Sequence, residues 1–389
     1  MADNLKCIED LLEKLSNAHG VSGREGIPEE GLRHRNVRDI LKEELGLYAD
    51  GNVETDGLGN LKATKNKNGN GTSVMLCAHM DEVGLSTSYI TDDGFLHFIG
   101  IGGWFDQTLL YQRVIVHGSK GPLLGVIGSK PDHILEEEEE EKPIKMKDMF
   151  IDIGACDAEE AQRLDVEIGT PITIDREFSR LKINLNNRNA LDDRAGCEER
   201  REKIHNLVTG KALDDRAGCA VMIEAMRRTK TKATVYAVGS VQEEFRPLGA
   251  RTASFGLKPN VAIAIETEYA GDYPGIEKKE AHLELGKGPS VTVVDEGLIT
   301  PPKVLRWIEE TAKEYYIPWQ RYVGKKGSTD AADISLTREG IPSGVVSVVI
   351  RYMHTPVEVL DLYDLDKAAE LIARMLEAIG KYFRDSRAM

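Results

Sequence analysis

The sequence of 389 residues lacks any apolar run close to the roughly 20 residues that a membrane-spanning helix requires. It also lacks an excess of basic residues: the formal net charge is −15, which would repel the phosphates of a nucleic acid. Its five cysteines form no CxxC pair, and such a scattered set is typical of reduced thiols. The N-terminal stretch has no apolar signal core. We therefore expect a cytoplasmic protein that binds neither nucleic acid nor membranes.

Chain length and strand patterning predict two domains, because 389 residues are too many for one ordinary hydrophobic core. Residues 1–86 and 209–389 contain apolar runs such as SVMLCAH and SGVVSVVI between amphipathic helices, a pattern typical of an α/β fold with a largely parallel sheet. Residues 87–208 instead contain short alternating stretches such as FLHFIG and RVIVHG, which predict a β-rich unit, either barrel-like or sandwich-like. The α/β domain is therefore predicted to be interrupted by a β-rich insertion.

Side chains of the types that bind metals follow several of the predicted strands, namely His79, Asp81, Glu243, Glu244, Glu266 and His354. In open α/β sheets, sites form where the carboxyl ends of the strands meet, so these side chains should converge. Two histidines with several carboxylates suit Zn²⁺ or a similar divalent cation. The surplus of carboxylates favours two ions about 3.5–4 Å apart with one bridging carboxylate. Each residue alone could be a solvated polar group, but together they predict a metal site.

The octapeptide ALDDRAGC occurs twice, at residues 190–197 and at residues 212–219. The second copy continues as AVMIEAMRR, which can pack a helix onto a sheet, whereas the first continues as EERREKIHN, which suits a surface helix. We therefore assign the bridging carboxylate to Asp214 of the second copy. The segment 189–210 is interpreted as a tandem duplication or an insertion, and Asp192 of the first copy is expected to be exposed and non-catalytic.

Several longer motifs occur in a fixed order along the chain: GVSGRE, CAHMDEVG, IGGWFDQTLLYQRV, KALDDRAGC, VQEEFRPLGARTA, GSTDAADI and RYMHTPVEV. With these motifs the chain resembles the tetrahedral (TET-type) dinuclear metallo-aminopeptidases, also called glutamyl or deblocking aminopeptidases, some of whose members carry a cellulase label. The resemblance covers nearly the whole chain. It implies a zinc-peptidase-like α/β sandwich with a mixed central sheet in residues 1–86 and 209–389, and an inserted β-rich, barrel-like dimerisation domain in residues 87–208.

The resemblance also implies the metal ligands. One divalent ion would be held by His79, Asp214 and Glu266, and a second by Asp214, Glu244 and His354. Both ions would be Zn²⁺ or Co²⁺, two per subunit. This sequence has Glu at position 266 where many relatives have Asp, so Glu268 is a rival ligand.

Two further roles follow from the same resemblance. Glu243 would be the general base, and Asp81 would orient His79, as carboxylates commonly do behind a metal-bound histidine. The family also places a cis peptide bond after the bridging aspartate, which here joins Asp214 to Asp215.

The activity that the resemblance implies is metal-dependent removal of N-terminal residues from peptides, through a metal-bridged water and a glutamate general base. A carboxypeptidase, dipeptidase or deacylase on the same scaffold is the alternative, and a glycosidase or a non-catalytic assembly protein is a more distant one. The resemblance further implies self-assembly into dimers and a tetrahedral dodecamer.

Overall fold

The computed structural model describes residues 2–69, 71–134, 142–181 and 206–383. The α-helices of these residues are α1 (Ala2–Asn17), α2 (Val37–Gly46), α3 (Ala158–Arg163), α4 (Leu213–Arg228), α5 (Leu248–Leu257), α6 (Pro302–Glu314), α7 (Asp330–Ser335) and α8 (Leu362–Tyr382). Short 3-10 segments lie at Asp106–Thr108, Asp132–Ile134 and Met146–Asp148.

The strands fall into two sheets. The large sheet contains β1 (Glu54–Thr55), β2 (Leu61–Lys65), β3 (Ser73–His79), β10 (Ser179–Arg180), β11 (Leu207–Gly210), β12 (Thr234–Ser240), β13 (Val261–Tyr269), β14 (Ser290–Val294), β15 (Gln320–Val323), β16 (Ser343–Arg351) and β17 (Glu358–Asp361). The second contains β4 (Gly84–Ile90), β5 (Leu96–Ile101), β6 (Arg113–Gly118), β7 (Gly121–Gly128), β8 (Phe150–Asp152) and β9 (Pro171–Ile174).

The large sheet is mixed. Its main path has the order β1-β2-β12-β3-β13-β16-β17-β11-β10, and β14 pairs with both β15 and β16. The central strands β12, β3, β13 and β16 are parallel, whereas the pairs toward both ends of the path are antiparallel. Because the central strands run together, their carboxyl ends meet at one edge of the sheet. The predicted mixed central sheet is confirmed.

Helices cover both faces of the central strands, so these strands are apolar on both sides. In β13, Ile263 and Ile265 belong to the main core with residues of α1, α4 and α8. Ala262 instead belongs to a smaller cluster with residues of α5 and α7. This alternation follows from successive side chains of a strand pointing to opposite faces. No helix in the described part of the chain is long and apolar enough to cross a membrane.

The second sheet is a closed barrel with the strand order β4-β5-β8-β7-β6-β9. All of its strand pairs are antiparallel. Its interior is filled by apolar side chains such as Leu85, Val114 and Ile172. The barrel confirms the predicted β-rich, barrel-like unit. Residues 179–180 already pair with the large sheet, and the domain limits at 87 and 208 remain a prediction.

A buried ionic cluster lies where the chain passes from β3 to the barrel. The carboxylate of Glu82 accepts hydrogen bonds from the backbone N–H of Gly20 (3.0 Å) and from Nζ of Lys211 (2.7 Å). The Arg216 guanidinium lies 3.4 Å from the same carboxylate. Burial lowers the pKa of Lys211, although Glu82 opposes the shift. The cluster joins the residues after α1, the start of α4 and the start of the barrel.

Candidate metal centre

The predicted ligands converge at the carboxyl edge of the parallel strands. His79 is the last residue of β3, and in the sheet it pairs with Ser240, the last residue of β12. Glu244 follows β12, and His354 follows β16. Glu266 lies inside β13, which continues beside β16 after its pairing with β3 has ended.

Asp214 lies between the two histidines. Its Oδ1 is 3.4 Å from Nε2 of His79, and its Oδ2 is 3.3 Å from Nε2 of His354. Nε2 of His354 also lies 3.3 Å from Oε2 of Glu244. On the other side, Nε2 of His79 lies 3.8 Å from Oε2 of Glu266. One carboxylate therefore faces two sets of donors, as the bridging position of a two-ion centre requires.

Two groups of side chains place their donor atoms within 4.8 Å of one another. One contains His79, Asp214 and Glu244, and the other contains His79, Asp215 and Glu266. Asp215 was not among the predicted ligands. Its Oδ1 accepts a hydrogen bond from the N–H of Gly218 (2.9 Å), while its Oδ2 is buried without a partner in the described part of the chain.

The donor chemistry of this edge fits divalent cations. Glu244 Oε1, like Asp215 Oδ2, is buried without a hydrogen-bond partner among the described residues. Burial raises the pKa of Glu244 to about 8, although His354 opposes the shift. Burial likewise raises the pKa values of Glu243 and Glu266 well above the usual range. Such shifts mark carboxylates with too little positive charge around them, and bound cations would supply that charge.

The pKa values of Asp214 and His354 shift in opposite directions. Burial alone would raise the pKa of Asp214, but its hydrogen bonds with His354 and His79 outweigh burial and lower it. Burial alone would lower the pKa of His354, but Glu244 and Asp214 raise it to about 10. These side chains therefore attract one another strongly across the small space that they enclose.

Glu243 lies beside the ligand groups without belonging to either of them. Its Oε2 is 3.9 Å from Nε2 of His79, and its side chain is 13% exposed. Access to solvent and closeness to the ligands are both needed by a group that exchanges a proton with a water molecule there.

Asp81 contacts two neighbouring elements. Its carboxylate accepts hydrogen bonds from the backbone N–H groups of Glu243 and Glu244, both at 3.0 Å. Its backbone carbonyl oxygen lies 3.2 Å from Nδ1 of His79, and its Oδ1 lies 3.6 Å from the same atom. The structure thus places Asp81 behind His79 and also behind the Glu243–Glu244 pair.

Besides Asp215, two further buried carboxylates at this edge were missed by sequence reasoning. The backbone N–H of Asp330 donates to Oε1 of Glu266 (3.1 Å). Glu358 accepts hydrogen bonds from the N–H groups of Asp214 (3.1 Å) and His354 (2.8 Å). Both residues lie inside the motifs GSTDAADI and RYMHTPVEV, which offered a signal but no indication of their partners.

The rival ligand Glu268 belongs to neither donor group. Its Oε1 accepts a hydrogen bond from the N–H of Tyr269 (3.1 Å), and burial raises its pKa to about 8. Glu266 is therefore the residue of this pair that faces His79.

The peptide bond between Asp214 and Asp215 is cis, as the resemblance implies. The first copy of the octapeptide lies outside the described residues, but the surroundings of the second copy explain why it occupies the site. A Cβ at Gly210 would collide with Ser16, and Lys211 is buried against Glu82. The first copy has arginine and asparagine at the equivalent positions.

The residues that follow the second copy also fit this position, whereas those that follow the first copy do not. Ala220, Val221, Met222 and Ile223 are buried in α4. The equivalent positions after the first copy hold Glu, Glu, Arg and Arg, which the core could accept only by burying unpaired charges.

A loop from the barrel sheet borders the His354 side of the site. A Cβ added at Gly103 would lie 3.1 Å from Nδ1 of His354. Gly102 has φ +84°, and a Cβ there would lie 3.4 Å from Cβ of Glu244. The absence of side chains at both positions lets this loop approach His354 and Glu244 closely.

Comparisons with known proteins show what the chain is similar to. The family model described as M42 glutamyl aminopeptidase matches residues 59–207 and 198–371, two stretches that overlap within the duplicated segment. The lysyl aminopeptidase of Pyrococcus furiosus is 35% identical over 95% of this chain and 97% of its own. An aminopeptidase structure from the archaeon Desulfurococcus kamchatkensis is 36% identical with a TM-score of 0.84, covering 96% of this chain and 95% of that one. The Pyrococcus horikoshii TET1 peptidase, which can assemble into a tetrahedron or a large octahedral shell, is 30% identical with a TM-score of 0.78, covering 95% and 99%.

Proposed function

The chain belongs to the M42 glutamyl aminopeptidase family, and on that premise we propose that it is a metal-dependent aminopeptidase that removes N-terminal residues from peptides. The observation that carries the proposal is the position of Asp214 between His79 and His354, with Glu243 beside them. A bridging carboxylate, two histidines and a separate glutamate are the parts that two-ion peptide hydrolysis requires.

The proposed ligands lie on the two sides of Asp214 and are not the same as the two donor groups given above. His79, Asp214 and Glu266 would hold one divalent cation, and Asp214, Glu244 and His354 would hold the second, with Zn²⁺ or Co²⁺ as the candidates. When bound, the cations would supply Lewis acidity toward a water molecule and toward the carbonyl of the first peptide bond. Asp215, which also lies near Glu266, is a further candidate donor.

Glu243 is the proposed general base. From its position next to His79, its carboxylate would accept a proton from the attacking water and later pass that proton to the leaving amine. Asp81 would hold Glu243 and Glu244 in place through their backbone N–H groups, and would orient His79 from behind.

The variant Glu243→Gln tests this proposal. Turnover of an aminoacyl p-nitroanilide should fall by about 10²–10⁴-fold, because a proton acceptor is lost, while the metal content of the protein stays unchanged. Glu296→Gln, at an exposed position, is the matched control and should retain full activity. Near-normal turnover by Glu243→Gln would refute the role of Glu243.

Substrates with free and with blocked ends separate the alternatives. The proposed aminopeptidase should cleave a peptide with a free N-terminus and leave its acetylated form intact. Cleavage from the C-terminus would favour a carboxypeptidase instead. Cleavage of dipeptides alone would favour a dipeptidase, and removal of the acyl group would favour a deacylase. A β-glucan included in the same panel tests the glycosidase alternative.

We also propose that the protein assembles into dimers and a tetrahedral dodecamer, with residues 87–208 as the dimerisation domain. Support comes from the assembly named for the P. horikoshii relative. Three exposed apolar side chains on β5 and β7 of the barrel, Ile99, Leu124 and Val126, offer contact area. Light scattering coupled to size-exclusion chromatography should give about twelve times the 43.1 kDa of one chain.

A further inference from the structure

Glu358 is a buried carboxylate at the start of β17, and the roles proposed above do not use it. Only 1% of its surface is exposed. Its Oε1 accepts a hydrogen bond from the N–H of His354 (2.8 Å), and its Oε2 accepts one from the N–H of Asp214 (3.1 Å). Each oxygen of one carboxylate thus holds the backbone of a different proposed ligand.

The two residues that Glu358 joins come from distant parts of the chain. Asp214 lies at the N-terminal end of α4, where its φ of −80° and ψ of 109° are not helical. His354 lies in the connection between β16 and β17 with φ +57°, a conformation that residues other than glycine seldom adopt. Neither backbone is held by a regular element at that point, so the shared carboxylate fixes their spacing.

We infer that Glu358 is a positioning residue for the cation held by Asp214, Glu244 and His354. The inference rests on the proposed function. Nε2 of His354 lies 3.3 Å from both Asp214 Oδ2 and Glu244 Oε2, so a displacement of the His354 backbone would change both distances. Partners behind metal ligands commonly set metal affinity in this way.

The other cation position has a different support. There, Oε1 of Glu266 accepts the N–H of Asp330, and the carboxylate of Asp330 accepts hydrogen bonds from Ser240 and Cys77. None of these hydrogen bonds involves Glu358. Both positions share Asp214, but only one includes His354. Loss of the Glu358 carboxylate should therefore weaken the position that includes His354 more than the position that includes His79.

The test is cation binding by Glu358→Gln in the full chain. The side-chain amide has one oxygen, so it can accept from one of the two N–H groups and would place its own NH₂ against the other. After removal of metals by a chelator, titration with Zn²⁺ and with Co²⁺ should show two sites in the wild type. In Glu358→Gln, the site that includes His354 should lose about 10–100-fold in affinity, and the site that includes His79 should lose clearly less. The Co²⁺ absorption spectrum should lose the contribution of one site.

Asp364→Asn is the matched control. The carboxylate of Asp364 is also buried and also accepts two backbone N–H groups, those of Gly286 (2.6 Å) and Gly288 (2.7 Å). That loop carries no proposed ligand. The control should lower the melting temperature of the metal-free protein while keeping both cation affinities. A similar loss of one cation in the control would overturn the inference, because the effect would then be general destabilisation.

Glu358→Asp keeps both carboxylate oxygens but shortens the side chain by one methylene group. It replaces Glu358→Gln in the test if the glutamine variant does not fold. It should weaken the same site by a smaller factor. Two sites of wild-type affinity in either Glu358 variant would overturn the inference and leave the proposed function standing. A wild-type protein that binds no divalent cation would overturn both.

Discussion

The two sides of the site are built differently. The His79 side comes from the large sheet itself: His79 ends β3, Glu266 lies inside β13, and the side chain of His79 is 2% exposed. The His354 side comes from connections, and the side chain of His354 is 34% exposed. Its geometry depends on Glu358 and on the barrel loop at Gly103. A ligand at the end of a central strand is fixed by the sheet, whereas a ligand in a loop needs partners of its own.

The largest effect is expected from a variant that disrupts both sides of the site at once. Asp214→Ala should abolish binding of both cations and lower kcat/KM by at least about 1,000-fold, because the bridging carboxylate serves both donor sets. The duplicated octapeptide supplies a matched control, since Asp192→Ala makes the same change in an identical local sequence. Metal content and turnover of the control should equal those of the wild type. An equal loss in both variants would show that the first copy also serves the site.

Separate histidine variants should distinguish the two sides. His79→Ala should lower the free energy of unfolding of the metal-free protein by about 1–3 kcal/mol, because buried carboxylates lose their partner. His354→Ala should lower it by less, since the side chain of His354 is 34% exposed and water can reach the vacated position. Chemical denaturation measures both values, and metal analysis should show the loss of one cation in each variant. Equal destabilisation would contradict the difference between a sheet-built and a loop-built side.

Gly103→Ala perturbs the His354 side alone. The added methyl group would lie 3.1 Å from Nδ1 of His354, closer than ordinary van der Waals contact. We expect a reduction of kcat by about tenfold and weaker binding of one cation. Gly57→Ala is the control, because a Cβ there would meet nothing within 4 Å. A wild-type kcat in Gly103→Ala would show that the barrel loop can move to accommodate the methyl group without displacing His354.

The last prediction concerns the junction between the barrel and the rest of the chain. Nδ1 of His19 and Nε2 of His117 both lie 2.9 Å from Oγ1 of Thr173. Burial lowers the pKa of His19 from 6.5 to about 2 and the pKa of His117 to about 3. The unfolded chain therefore binds more protons than the folded chain between about pH 6.5 and about pH 3.

Stability that depends on these two histidines is present above pH 6.5 and is lost as the pH falls through that window. The expected loss is roughly 1.4 kcal/mol per pH unit for each histidine. Denaturant titrations at pH 7 and pH 5 measure it, and the double variant His19→Gln, His117→Gln should show a weaker dependence. An unchanged pH dependence in the double variant would contradict the role of these two histidines.

Strand ends were the most informative part of the sequence. The apolar run before His79 predicted both the strand and the edge at which the ligands meet, because burial on two faces leaves a continuous hydrophobic pattern. The choice of Asp214 followed from the apolar residues after the second octapeptide, which are buried in α4. The alternating stretches after β3 predicted a β-rich unit but not the closure of the barrel, which depends on pairing between β4 and β9.

Contacts between distant segments could not be predicted in the same way. Glu358 binds a backbone N–H group 144 residues away, and Asp330 binds Glu266 through its own backbone. Every residue other than proline has the same backbone N–H group, so the residue types in the sequence do not indicate which N–H groups these carboxylates bind. Asp81 illustrates the point: its nearness to His79 was predictable from their spacing, but its bonds to Glu243 and Glu244 were not.

The strand order of the large sheet has a consequence for synthesis of the protein. All six barrel strands lie between Gly84 and Ile174, so the barrel can fold as soon as that stretch has left the ribosome. β3 is made earlier, but both of its neighbours, β12 and β13, begin only at Thr234 and Val261. Until then the apolar strand that ends in His79 has two unpaired edges, which favour aggregation.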